Sequence, residues 1–295
     1  MGSPCQIRLY AESDVFGRRV IKKCIKALRH LNDKYTRYSE TSLTSQINAS
    51  AGSGKRIKVD EETIAVLNYA NVCYEQSDGL FDITSGVLRR VWDFSKSVLP
   101  TQVEIDAVLP VIGWEKVIWE APYISLPLEG MEIDFGGIVK EYAADTVIGL
   151  CKKMGIQHGI VDLGGDVRVI GPTPDGESWL MNIPHPRHPD EMLTKVPIYQ
   201  GGVSTSGDYE RFMMVDGQRY CHILNPKTGW PARNNFASVT VVADHCVIAG
   251  SATTVAMLKE GDAIEWLEAL GLPYWCADER GQLTHGGGVH ANCCC

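Results

Sequence analysis

The sequence predicts an α+β fold with mixed or antiparallel sheets and packed helices. Strand-like runs come in groups instead of alternating one for one with helical segments, which disfavours a doubly wound parallel sheet. The 295 residues are 44% hydrophobic, enough for a sizeable core, since a chain of this length buries about 75% of its unfolded surface. The 29 glycines exceed the usual share of about 7% and imply tight turns or backbone approaches to a ligand.

Taken in order, Val20, Cys24, Ala27, Leu28, Leu31 and Tyr35 recur at helical spacing over 14–35. Asp60 caps a second helix running toward Gln76, with Glu61 and Glu62 in its first turn. A third follows Gly136-Gly137, carries Ala143, Val147, Leu150, Cys151 and Met154 on one face, and stops at Gly155. A fourth is expected over 249–258 and a fifth over 263–270, ended by Gly271. The strand-like runs cover 160–170, 179–183, 220–224, 238–242 and 274–277.

Charge and composition narrow the function classes. Twenty-eight Lys and Arg stand against 36 Asp and Glu, a net charge of −8 with no long basic run. That balance argues against nucleic acid or an anionic lipid surface as partner. No apolar stretch approaches a membrane span, and no apolar segment near Met1 reads as a signal peptide. A cytoplasmic setting is therefore expected, or a periplasmic one if an export segment precedes this chain. Seven of the ten cysteines are scattered singly, and Cys24, Cys73 and Cys151 fall within helical patterns as small buried hydrophobes. The Cys293-Cys294-Cys295 end reads as part of an unstructured tail over 286–295.

Four polar, glycine-bearing segments carry the chemistry. The first is Ser77-Asp78-Gly79-Leu80-Phe81-Asp82-Ile83-Thr84-Ser85-Gly86, after a helix. In the second, Asp134-Phe135-Gly136-Gly137-Ile138-Val139-Lys140, glycines at a helix start offer N–H groups to an anion beside a lysine. The third, Asp162-Leu163-Gly164-Gly165-Asp166, is expected to bend or flatten a strand. The fourth runs from Ser204-Thr205-Ser206-Gly207 through Arg211 to His222 and Asn225-Pro226, a set of hydroxyls and a histidine suited to a nucleotide pocket. Gly52-Ser53-Gly54-Lys55 is not a P-loop: Ala49 stands where its first glycine belongs and Arg56 replaces the Ser/Thr.

In this order and spacing the segments resemble the ApbE-type flavin transferases, the FAD:protein FMN transferase family. The match opens at Met1-Gly2-Ser3, passes through Arg37-Tyr38-Ser39, Ser42 and Asn48, and ends at Ser238-Val239-Thr240-Val241 and the helix containing Thr253 and Thr254. The resemblance implies one ApbE-like, T-fold-like domain over 1–295, with two sub-lobes meeting at an FAD site. It implies transfer of the FMN half of FAD to a Ser/Thr hydroxyl of an acceptor protein, with release of AMP and assistance from Mg²⁺. The acceptor implied is an electron-transfer subunit. By similarity, Met1, Tyr38, Leu80, Phe81, Asp82, Asp134, Lys140, Asp166, Thr205 and His222 contact FAD. Tyr38 and Phe81 are expected to pack against its rings. His222 is the candidate to take the hydroxyl proton, from its side-chain chemistry and motif position, and a backbone carbonyl near Gly137, with Thr253 and Thr254, is expected to face the metal.

One departure stands out. The family's metal-binding helix carries an Asp four residues ahead of a Thr, and here that place is Gly250, with Thr254 as the Thr. The alternatives this leaves are an FAD pyrophosphatase yielding FMN and AMP, or a non-catalytic FAD-binding relative. An Asp introduced at 250 is expected to tighten Mg²⁺ binding.

Overall fold

A computed structural model describes residues 4–288. Met1 and Cys293–Cys295 lie outside the described residues, as does all of 289–295, whereas Gly286 ends the last strand.

Strand β1 (Cys5–Leu9) leads into α1 (Asp14–Tyr35). Ser13 Oγ accepts from the Phe16 amide at its start, and Val20, Cys24, Leu31 and Tyr35 are buried as the helical spacing predicts. The short α2 (Leu43–Ala49) follows, capped by Ser42, and then β2 (Ile57–Lys58). Helix α3 (Glu61–Gln76) begins where Asp60 Oδ1 accepts from the Thr63 amide at 3.0 Å. A 3₁₀ helix over Ile83–Arg90 precedes α4 (Gln102–Val108), whose capping box joins Thr101 and Glu104. Strands β3 (Ile118–Glu120) and β4 (Tyr123–Ser125) form a small sheet with β2, in the order β2-β4-β3.

Helix α5 (Val139–Lys153) follows, and Gly155 beyond it adopts φ +89°. The run over 160–170 is two strands, β5 (Gly159–Leu163) and β6 (Asp166–Gly171), not one bent strand. Gly164 and Gly165 take φ of +69° and +91° between the paired Leu163 and Asp166, so the glycines make a two-residue hairpin turn. Next come the hairpin β7 (Trp179–Pro184) and β8 (Met192–Ile198), strand β9 (Gly201–Gly207), and the hairpin β10 (Phe212–Val215) and β11 (Gln218–Cys221). The strand expected over 220–224 thus ends at Cys221 and leaves His222 beyond it.

Strand β12 (Ser238–Ala243) leads to α6 (Cys246–Leu258), which starts three residues earlier than expected. His245 makes no side-chain cap; Asp145 of α5 caps α6 instead, accepting from the Cys246 and Val247 amides, each at 3.0 Å. Helix α7 (Ala263–Leu270) stops at the left-handed Gly271, and β13 (Tyr274–Ala277) and β14 (Leu283–Gly286) complete the chain.

Seven strands form the main sheet in the order β1-β5-β6-β9-β12-β13-β14, each neighbouring pair antiparallel. Alternation along the strands divides its faces. Val161, Leu163, Val239, Val241, Tyr274 and Cys276 face the helical side. Val169, Val203 and Trp275 pack on the other side against Trp179 and Ile183 of β7 and Val196 and Ile198 of β8. A separate apolar cluster, Val87, Leu88, Trp92, Ile105, Ile112 and Met213, joins the 3₁₀ helix, α4 and β10. Cys24, Cys73 and Cys151 are buried as their helical positions predict. Among the described residues no helix is long and apolar enough to cross a membrane.

Candidate active site

A cleft of about 440 Å³ opens between the main sheet and the separate apolar cluster. Strand β9 contributes Thr205, Ser206 and Gly207, β6 contributes Asp166, α5 contributes Lys140 and Glu141, and α6 contributes Thr254. The opposite wall holds Trp92, Phe94 and His222. Of the residues expected at the site, Leu80, Phe81, Asp82, Asp134, Gly137, Lys140, Asp166, Thr205, His222 and Thr254 all line this cleft.

Their individual roles differ from a simple ligand shell. Asp82 is 7% exposed, and its carboxylate is an anchor. Oδ1 accepts from the Thr84 amide and hydroxyl, each at 2.7 Å, and Oδ2 accepts from the Trp114 amide at 3.0 Å. Phe81 is also buried, in the core with Phe135 and Ile138. Its ring backs Gly137, where an added Cβ would lie 3.3 Å from Phe81 Cζ. Phe81 thus reaches the cleft from a largely buried position. Phe94, stacked on Trp92 with centroids 5.6 Å apart and with the Arg211 guanidinium over its ring, also lines the cleft. Neither Trp92 nor Phe94 belonged to a motif read from the sequence.

Tyr38 is 83% exposed and lines an adjoining hollow that shares Arg37, Asp134, Gly136 and Lys140 with the cleft. Its hydroxyl accepts from Arg37 Nη2 at 3.0 Å. Arg37 also forms an ion pair with Asp134. Asp134 Oδ1 accepts from the Gly136 amide at 2.8 Å, so one of the N–H groups expected to face an anion is already engaged. Asn48 clamps the segment before Asp134 through both its amide atoms, on Ile133 N and O.

The floor of the cleft concentrates charge. Lys140 pairs with Asp166, which also accepts from the Ser204 hydroxyl. Burial opposes the Lys140 charge, but the Asp166 and Glu141 carboxylates outweigh it and hold the ammonium pKa above its ordinary value. Glu141 is only 6% exposed, and its Oε2 has no hydrogen-bond partner. Burial first, then the charge of Asp166, pushes the Glu141 carboxyl well above the usual carboxylate range, with Lys140 opposing. Thr205 Oγ1 pairs across strands with Thr240 Oγ1 at 2.8 Å.

Thr253 and Thr254 separate. Thr253 is fully buried, its hydroxyl 2.9 Å from both the Gly250 carbonyl and Ser206 Oγ, and it does not line the cleft. Thr254 does line it, its Oγ1 3.4 Å from Ser206 Oγ. The expectation that an Asp at 250 adds a metal ligand meets a steric obstacle. A Cβ at Gly250 would lie 2.5 Å from Glu141 Cγ, closer than van der Waals contact permits.

His222 stands on the cleft wall, and its Nδ1 lies 3.1 Å from the Arg211 carbonyl. A carbonyl only accepts, so Nδ1 carries the proton and Nε2 keeps its lone pair. The ring is exposed by accessible surface but flanked closely by protein. That partial desolvation lowers its pKa from the ordinary 6.5, with Arg211 and Lys140 adding repulsion, while the hydrogen bond to Arg211 opposes the shift.

Among the described residues no group of three or more His, Cys, Asp or Glu forms a metal cage. The oxygen donors nevertheless suit Mg²⁺, which is commonly held by one or two carboxylates together with substrate phosphates and water. Glu141 contributes a buried carboxylate oxygen without a hydrogen-bond partner, and Asp166 and Thr254 line the same cleft.

The α+β scaffold thus carries a cleft whose lining combines acids, a lysine, aromatic residues and a histidine. The family profile described as "ApbE family" matches residues 1–275, and the chain belongs to that family. The FAD:protein FMN transferase of Vibrio cholerae serotype O1 is 28% identical over 281 residues, covering 92% of this chain and 84% of the relative. That of Klebsiella pneumoniae is 29% identical over 248 residues, covering 82% and 75%. The crystal structure of the ApbE protein from Thermotoga maritima matches with a TM-score of 0.88 at 28% identity, covering 97% of this chain and 94% of that one. The flavin transferase ApbE from Vibrio cholerae matches with a TM-score of 0.86 at 26% identity and the same coverage. The expected α+β architecture is shared with these structures, and the chain is an enzyme of a transferase family.

Proposed function

We propose that this enzyme transfers the FMN half of FAD to a serine or threonine hydroxyl of an acceptor protein and releases AMP. The observation that carries this reading is the meeting, in one cleft, of Lys140, Asp166 and Glu141 with a histidine whose Nε2 is available as a base. Pyrophosphate chemistry needs fixed phosphates, offset charge and an in-line nucleophile.

The acceptor hydroxyl oxygen attacks the phosphorus on the riboflavin side of the pyrophosphate. A new P–O bond forms as the bond to the bridging oxygen breaks, and AMP departs with that oxygen. The hydroxyl proton passes to His222 Nε2. Lys140 directs its ammonium toward the phosphates while Asp166 fixes its position. Asp166, Thr254 and the backbone near Gly137 would hold a Mg²⁺, which would supply charge neutralisation at the phosphates. Phe94 lines the cleft, where its ring would contact a flavin or adenine.

The acceptor proposed is an electron-transfer subunit that would carry FMN on a threonine. The test is mass spectrometry of such an acceptor after incubation with FAD, Mg²⁺ and the enzyme. An added FMN phosphoester with AMP in solution is the expected result; FAD consumed to FMN and AMP with the acceptor unmodified would replace this reading with a pyrophosphatase.

A further inference from the structure

Two helices meet at the floor of the cleft with an inverse arrangement of side chains. Helix α5 carries Glu141, a long acid, and α6 faces it with Gly250, which has no side chain. The fit is tight: a Cβ at Gly250 would stand 2.5 Å from Glu141 Cγ and 3.0 Å from both Cδ and Oε1. One side chain occupies this volume, and it enters from α5.

The Glu141 carboxyl lies against Asp166, another acid, and protein donors do not satisfy it. Its Oε2 is buried without a hydrogen-bond partner, and an isolated buried carboxylate oxygen is costly. The nearby ammonium, Lys140, is already paired with Asp166. Two buried carboxyls share one ammonium, so the second is neutral while it keeps its proton and can ionise when a cation stands beside it. The hydroxyl of Thr254, on α6 with Gly250, lines the same cleft.

We infer that Glu141 supplies the divalent cation with the carboxylate that position 250 lacks, entering the same space from α5 rather than from α6. Gly250 is then a required vacancy that admits Glu141, not the loss of a metal site. The inference rests on the flavin-transfer reading for the identity of the ligands around the cation, but its test does not depend on transfer.

The experiment titrates Mn²⁺ into the full chain with FAD present and acceptor absent, following the free Mn²⁺ signal by electron paramagnetic resonance. Circular dichroism and a thermal melt check each variant. Glu141→Gln keeps the shape and removes the charge, so Mn²⁺ affinity should fall by about tenfold or more. Gly250→Asp alone should lower the melting temperature, because its Cβ collides with Glu141. The double variant Glu141→Gly with Gly250→Asp moves the acid from α5 to α6 and should recover Mn²⁺ affinity to near that of the parent. Undiminished Mn²⁺ affinity in folded Glu141→Gln, or a folded double variant that binds no better than Glu141→Gln, would overturn the assignment. So would a parent chain that binds FAD but no Mn²⁺. Acceptor flavinylation by the parent, assayed separately, decides the flavin-transfer reading, so either conclusion can fail alone.

Discussion

His222 Nδ1 and the Arg211 carbonyl lie 3.1 Å apart, and the same carbonyl accepts from the His222 amide at 3.0 Å. This pair fixes the ring and its tautomer, leaving Nε2 as the atom that can take a proton. The folded pKa lies below the ordinary 6.5, so the neutral imidazole predominates at pH 7.

It follows that the acid limb of the pH–rate profile falls below about pH 6.5. A depressed histidine pKa contributes stability above the unfolded value, and that contribution is lost as pH falls through the folded value. His222→Ala should lower kcat by about a hundredfold or more, as expected for loss of a general base, with FAD affinity little changed. An acid limb centred above 6.5, or an unaffected kcat, would remove His222 from proton transfer.

Lys140→Ala leaves the nearly buried Asp166 without its cation. The variant should weaken FAD binding by about 1.5–3 kcal/mol, the range for a hydrogen bond to a charged group. It should also lower the melting temperature, because Asp166 loses its ion pair. Fluorescence titration of FAD and a thermal melt measure the two effects separately.

Asp82 predicts the opposite balance. Its three accepted hydrogen bonds tie the start of the 3₁₀ helix to Trp114. Asp82→Ala should therefore cost about 2–4 kcal/mol in urea denaturation, from a lost cap and stranded donors. A variant of unchanged stability with weakened FAD binding would make Asp82 a ligand and not an anchor.

Phe94→Ala tests the aromatic wall. Removing the ring should weaken FAD binding by about 0.5–1.5 kcal/mol, the range for an aromatic pair beyond simple burial. Trp92 is held by its indole N–H donating to the Gly229 carbonyl at 2.7 Å, so the wall should otherwise persist. Unchanged FAD affinity would place the flavin and adenine elsewhere.

Much of this fold was legible because local signals agreed with tertiary packing. The periodicity over 14–35, the Asp60 cap and the Gly271 stop each mark an element end that needs no distant partner. Strand β9 was illegible for the opposite reason: Gly-Gly-Val-Ser-Thr-Ser-Gly has poor strand propensity. Yet β9 is central in the sheet, and at Gly202 a Cβ would lie 2.4 Å from Cys246 N, so α6 packs where a side chain would block it. The early start of α6 was likewise hidden, because its cap is Asp145 from another helix.

The site divides in the same way. Lys140, Asp166, Thr205, Thr254 and His222 could be picked out from their motifs, and the fold brings them into one cleft. Glu141 could not be assigned a role from its neighbours in sequence, since its meaning depends on a missing side chain at Gly250. Phe94 and Arg211 were missed as a pair because their contact, guanidinium carbon to ring centroid at 5.6 Å, joins segments over a hundred residues apart.

The most direct measurement is the molar ratio of AMP released to flavin covalently attached to the acceptor, followed over one time course with Mg²⁺ present. The two should rise together at a ratio near one, and AMP release should depend on the acceptor hydroxyl. AMP formed at the same rate when that hydroxyl is removed, or FAD bound with no AMP formed, would contradict the flavin-transfer reading.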